Sequence, residues 1–235
     1  GIGVEHESPG VGQNLRDHPN ARIPVRVRDD FPMDPQAPRT QLAVRYTAAG
    51  SKDRNDMQLL QSSFSSPMGG DPLEGEGIRF TVILELAEGA GELTLTKNDP
   101  YTQPNLDYRY LEIPWDRERM REGVRICLDL LQHEKYREFA LDAIAPSTED
   151  LSSDDMLDQW LLRNVTTTHH ISGTCKMGPE SDPMAVVDQY CRVHGLEGLR
   201  VVDVSVLPDC IRANTNCTTI MIAERVADWI NSKQH

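Results

Sequence analysis

The feature that most limits how this chain folds lies near its C-terminal end. A short apolar run, residues 199–202, leads into an irregular stretch, 203–214, and then into the polar cluster Asn214-Thr215-Asn216-Cys217-Thr218-Thr219. From Asn216 or Thr218 a helical pattern runs to Ile230, with Ile222, Ala223, Val226 and Ile230 along one face. Strand, loop and helix in that order read as the closing unit of an open α/β sheet. Ligands of such sheets sit beyond the carboxyl end of the strand, beside the helix N-terminus.

Bulk properties narrow the setting. The 235 residues suffice for one large domain or two small ones with a real core. A hydrophobic fraction of 38% and a charged fraction of 26% are those of a soluble globular protein. A net charge of −13 argues against nucleic acid or an anionic membrane as partner, since both are polyanions. Apolar runs such as 219–223 are far too short to span a bilayer, and no signal peptide is visible. Cys127, Cys175, Cys191, Cys210 and Cys217 are odd in number and never form C-x-x-C, so neither a metal site nor a disulfide framework is expected. Reduced thiols and a cytoplasmic location follow. The chain opens on Gly1 rather than Met, as a processed chain or a piece of a longer protein would.

Along the chain, residues 21–27 and 41–46 read as short strands, Pro24 marking the first as an edge or imperfect strand. Residues 31–39 and 65–77, dense in proline or in glycine and acid, read as loops. Residues 78–86 and 92–96 read as a hairpin turning at Glu88-Gly89-Ala90-Gly91. A helix is predicted over 116–132, with Met120, Val124, Cys127, Leu128 and Leu131 recurring at its period. A second spans 152–162, capped by Ser152 or Ser153, with Met156, Leu157, Trp160 and Leu161 as its apolar stripe.

Two places could carry chemistry. His169-His170 precede Ile171-Ser172-Gly173-Thr174-Cys175, a small-residue turn that lets backbone and ligand approach closely. Adjacent histidines are also common as plain surface or core residues. The polar cluster from Asn214 suits helix capping, and a helix N-terminus also offers positive partial charge and spare N–H donors to an anion.

Three segments resemble the C-terminal signatures of the glucose–methanol–choline (GMC) oxidoreductases. They are P-G-V-G-Q-N-L-R-D-H at 9–18, H-I-S-G-T-C-K-M-G at 170–178 with D-P-M-A-V-V-D at 182–188, and the stretch 192–230. That last stretch contains R-V-H-G-L-E-G-L-R-V-V-D-V-S-V-L-P and N-T-N-C-T-T-I-M-I-A-E-R-V-A-D-W-I. G-E-L-T-L-T-K-N-D-P and P-N-L-D-Y-R-Y-L are similar to the family's substrate domain, and the resemblance is strongest to the choline-dehydrogenase-like branch.

The resemblance implies FAD-dependent oxidation of a primary or secondary alcohol. His170 matches the active-site histidine, a base that titrates in the right range for a hydroxyl proton. Asn216 matches a second active-site position, unable to act as base but able to hold the substrate oxygen. Asn14, Asp203, Asn216, Cys217 and Thr218 fall where the family meets its flavin, and His18 lies with Asn14 at the boundary of cofactor and substrate. Two departures bear on substrate fit: His169 stands where many members carry an aromatic residue, and Ile171 stands where proline is usual.

The implied architecture is an α+β / α/β fragment. Residues 1–20 are a boundary segment of the FAD domain, 21–165 an antiparallel-sheet substrate-binding domain with flanking helices, and 166–235 the closing strand and helix of a Rossmann-like FAD domain. The N-terminal part of that domain is expected elsewhere, in a missing segment or a companion chain. Gly1-Ile2-Gly3 and Gly10-Val11-Gly12 lack the third glycine, the buried strand and the helix of a dinucleotide fingerprint. The chain is therefore expected to be inactive alone. A hydroxynitrile lyase on the same scaffold and a non-catalytic binding module are the alternatives.

Overall fold

A computed structural model describes residues 3–34, 36–63 and 77–232. In chain order the elements are β1 (Pro19–Val27), β2 (Thr40–Tyr46), β3 (Met57–Ser62), β4 (Ile78–Leu84), β5 (Glu92–Thr94), β6 (Asn105–Asp107), α1 (Pro114–Leu131), α2 (Glu134–Arg137), β7 (Ala140–Ala143), α3 (Asp154–Asn164), β8 (Thr166–Thr167) and α4 (Asn216–Asn231). A 3-10 turn, Val204–Val206, precedes α4. The chain divides into two compact units, one of residues 1–18, 89–110 and 169–235, the other of 19–88 and 111–168. None of the described helices is long and apolar enough to cross a membrane.

The second unit is an antiparallel sheet in the order β2-β3-β4-β1-β7, with β8 also pairing β1. All seven residues of β4 are buried, because β3 and β1 flank it and α1 covers it. α1 buries Met120, Val124, Cys127 and Leu131 at helical spacing, the Met, Val and Leu side chains each worth about 1.5–3 kcal/mol when withdrawn from water. It approaches the sheet closely at Gly123, where an added Cβ would lie 2.4 Å from a methyl of Val82. Pro114 opens the helix at a position whose N–H needs no partner. α3 starts on Ser153, whose hydroxyl accepts from the Met156 N–H, and buries Leu157, Trp160 and Leu161.

Two expectations fail here for stated physical reasons, and at Pro24 the imperfect-strand alternative holds. Residues 78–86 and 92–96 do not form a hairpin: β4 has a neighbour on each side already, and β5 pairs with β6 in the other unit. Gly91 exchanges backbone hydrogen bonds with Leu15 instead. Pro24 is not on an edge, since β1 has β4 on one side and β7 and β8 on the other. Its missing N–H is tolerated because β8 pairs at Pro19 and Asn20 and β7 only from Val25, with a bulge before Val27. Residues 199–202 form no strand; Arg200 makes a single bridge to Arg192, and strand geometry needs a longer neighbour than that. Residues 64–76, most of the loop expected at 65–77, lie outside the described residues.

The first unit has its own core of Val186, Val187, Cys191, Val193, Val206 and Val226. α4 packs on it through Ile222, Val226 and Trp229, whereas Ala223 and Ile230 of the expected face are exposed.

Candidate active site

Every candidate site residue belongs to the first unit. Its chain is folded around the segment from Gly12 to His18. Arg16 and Ser172 exchange two backbone hydrogen bonds at 2.8 and 2.9 Å, and Gly12 donates to the carbonyl of Thr174 at 2.8 Å. Gly173 sits at φ +84°, where a Cβ would come within 2.5 Å of the Asn14 carbonyl. That position demands glycine on both counts. Asn14, itself at φ 58°, donates its side-chain amide to the carbonyls of Gly173 and Pro208. It therefore ties the segment before His18 to the segments after His170 and before α4.

Asp17 fixes the histidines. It is 4% exposed, and one of its oxygens accepts both the His18 N–H at 2.8 Å and the His170 N–H at 3.0 Å. Its other oxygen accepts from the Tyr110 hydroxyl, and the Cys210 thiol donates to its carbonyl. Held at both ends, His170 meets His18 Nδ1 to Nδ1 at 2.9 Å, with the rings edge to face. The far nitrogen of His18, Nε2, lies 2.7 Å from the Ile211 carbonyl. The far nitrogen of His170, Nε2, lies 3.2 Å from the side-chain amide nitrogen of Asn214.

Burial lowers the His170 pKa below the usual imidazole value; the Asp17 charge opposes this, and His169 adds to it. The ring is thus kept neutral near pH 7, the state in which it can take a proton.

The other expected residues fall close by in sequence but do different local work. Asp203 caps the 3-10 turn, accepting from Ser205 N–H at 2.8 Å. Asn216, Cys217 and Thr218 form the first turn of α4, Asn216 and Cys217 exposed and Thr218 half-buried. The side chain that meets His170 is that of Asn214, two residues before the helix. Asp17 and Tyr110 were not singled out by sequence; the Asp-His pair inside the 9–18 signature was the available signal for Asp17, and nothing local pointed to Tyr110.

A family model described as "GMC oxidoreductase" matches residues 87–223. Curated relatives include an oxygen-dependent choline dehydrogenase of Photobacterium profundum, 28% identical across 98% of this chain and 44% of its own length. Another, from Chromohalobacter salexigens, is 32% identical across 100% of this chain and 46% of its length. Among solved structures, pyridoxine 4-oxidase of Mesorbium loti superposes with a TM-score of 0.86 at 23% identity, covering 100% of this chain and 46% of that one. A formate oxidase variant of Aspergillus oryzae, crystallised in a study of FAD modification, gives 0.86 at 24%, covering 99% and 49%. These two likenesses establish a shared fold. The chain belongs to the GMC oxidoreductase family, on its choline-dehydrogenase-like side. It spans about half the length of the curated relatives it matches.

FAD is the cofactor of this family, and the residues expected to meet it in the first unit include the start of α4. Thr215, the residue before α4, makes no side-chain cap, so the opening N–H groups of a 16-residue helix carry their partial positive charge uncovered by a cap. They follow directly on Asn214, which touches His170.

Proposed function

We propose that the protein containing this chain oxidises a primary or secondary alcohol, choline being the first candidate because relatives across the whole chain are named for it. The observation that carries the reading is the His170–Asn214 pair at the mouth of an uncapped helix. The chemistry that flavin would supply when bound is uptake of the hydride lost from the carbinol carbon. His170 takes the hydroxyl proton, its ring neutral and anchored through the backbone by Asp17. The Asn214 amide donates to the substrate oxygen and keeps it in line. The first turn of α4, with Asn216, Cys217 and Thr218, would help hold the flavin, and its N–H groups would supply positive potential to negative charge there. Asn14 and Asp203 would help hold the flavin by bracing the loops they belong to. The second unit, with its antiparallel sheet, serves substrate binding.

The reading also requires the rest of a flavin site, in a segment before this chain or in a companion chain. Exposed apolar residues support that requirement. Leu199, Ile220, Met221 and Ile230 are 50 to 56% exposed, on or beside the closing helix. A groove of about 1430 Å³ is lined by two of them, Leu199 and Ile230, with Tyr190 and Trp229. Apolar patches of this kind mark surfaces made to be covered.

Steady-state oxidation of choline and simple primary alcohols, by the complete enzyme and its His170→Gln variant, tests the proposal. Turnover is expected to drop by about 10²–10⁴-fold on losing the base, with flavin retained. A variant as active as the parent would remove His170 from the chemistry.

A further inference from the structure

The hydrogen bonds around the two histidines fix more than their positions. A carbonyl oxygen only accepts, so the contact from His18 Nε2 to Ile211 at 2.7 Å places a proton on that nitrogen. A neutral His18 then has a bare Nδ1. The His170 Nδ1 stands 2.9 Å from that lone pair, so the bond between the rings exists only if His170 carries its own proton on Nδ1. A neutral His170 in that form carries its basic lone pair on Nε2. That atom is the one beside Asn214, whose amide nitrogen donates to it at 3.2 Å. Four groups thus agree on one proton arrangement.

We infer that His18 is a positioning residue that sets the tautomer of His170, holding Nε2 as the basic atom. The inference rests on the proposed role of His170 as base, and extends it to which nitrogen acts and what selects it. Free imidazole has no such selection, because either nitrogen can hold the proton. With His18 in place, the proton taken at Nε2 leaves an imidazolium whose Nδ1–H still points at a neutral acceptor. Only the Asn214 amide beside Nε2 then has to turn during the reaction. His18 suits this work because it is 1% exposed and its backbone N–H is held by Asp17, so its ring cannot turn away to solvent.

The test is 15N NMR of the protein labelled at histidine, with the His170 signals assigned by their loss in His170→Gln. At a pH where both rings are neutral, the expected wild-type result is a protonated, pyrrole-type Nδ1 and a bare, pyridine-type Nε2 on His170. In His18→Leu, which has no acceptor, the two nitrogens should average toward mixed values, and kcat should fall by about 10²-fold or more with flavin still bound. In His18→Asn the carboxamide oxygen stands where Nδ1 stood, so the tautomer should be largely restored and kcat with it. A wild-type His170 protonated on Nε2 overturns the inference without needing any variant to fold. So does a His18→Leu protein, folded by its amide spectrum, whose His170 keeps the wild-type tautomer. Neither result touches the base role itself, which the turnover of His170→Gln decides.

Discussion

Arg119 shows at the scale of one residue how the second unit manages charge. It is 2% exposed, yet its guanidinium reaches Asp56 at 3.0 Å, Asp116 at 2.6 Å and the Leu86 carbonyl at 2.8 Å. Removing one partner from such a buried set leaves a charge without compensation. Asp56→Ala is therefore expected to cost about 3–5 kcal/mol, read as a lower urea midpoint. Glu85, 3% exposed on the same sheet, behaves differently. Burial raises its pKa from 4.5 to about 7, against an opposing pull from Arg45. The fold thus favours the protonated acid. Its contribution to stability is complete below the unfolded value of 4.5 and is lost as pH rises through about 7. Urea midpoints measured from pH 4.5 to 8 should fall across that window, and Glu85→Gln should flatten the slope; an unchanged slope would contradict the assignment.

The site was legible at this scale only in part. His170 stood out because a small-residue turn follows it, and the structure shows why the turn is needed: Gly173 allows Asn14 to close in. The contact of Asn214 with His170 was not legible, since the sequence pointed to Asn216. Both lie in one Asn-Thr-Asn run, and only the backbone turn before α4 determines which amide reaches the imidazole.

Helices were read more faithfully than strands, because a helix is specified within its own segment while a strand is specified by its neighbours. The period in α1 and the cap of α3 are local facts, and Ser153→Ala should cost about 1 kcal/mol by thermal or urea unfolding. The supposed hairpin at 78–96 failed because alternation and turn residues do not say which strands pair. Residue 88 ends one unit and residue 89 begins the other. Gly91 was taken for a turn residue, but its true constraint is close approach: a Cβ there would lie 1.9 Å from the Asp107 carbonyl. Gly91→Ala should therefore disturb the β5–β6 pair and lower thermal stability, whereas a simple turn glycine at ordinary φ would accept alanine with little change. The α4 face was shifted for a related reason. Helical spacing permits several adjacent stripes, and the unit's core selected the one through Ile222, Val226 and Trp229.

Across the whole molecule, the antiparallel sheet with its covering helices is complete within the second unit, while the first carries an apolar helix with Val226 as its buried residue. This imbalance accords with a chain covering 44 and 46% of two choline dehydrogenase relatives. Redox use of the flavin is the central claim, and it separates an alcohol oxidoreductase from a lyase on the same scaffold. The direct measurement is the flavin absorbance of the complete enzyme mixed anaerobically with choline or another turned-over alcohol. Rapid bleaching in the parent, slowed by about 10²–10⁴-fold in His170→Gln, is the predicted result. A flavin that stays oxidised while the substrate is consumed would contradict the account.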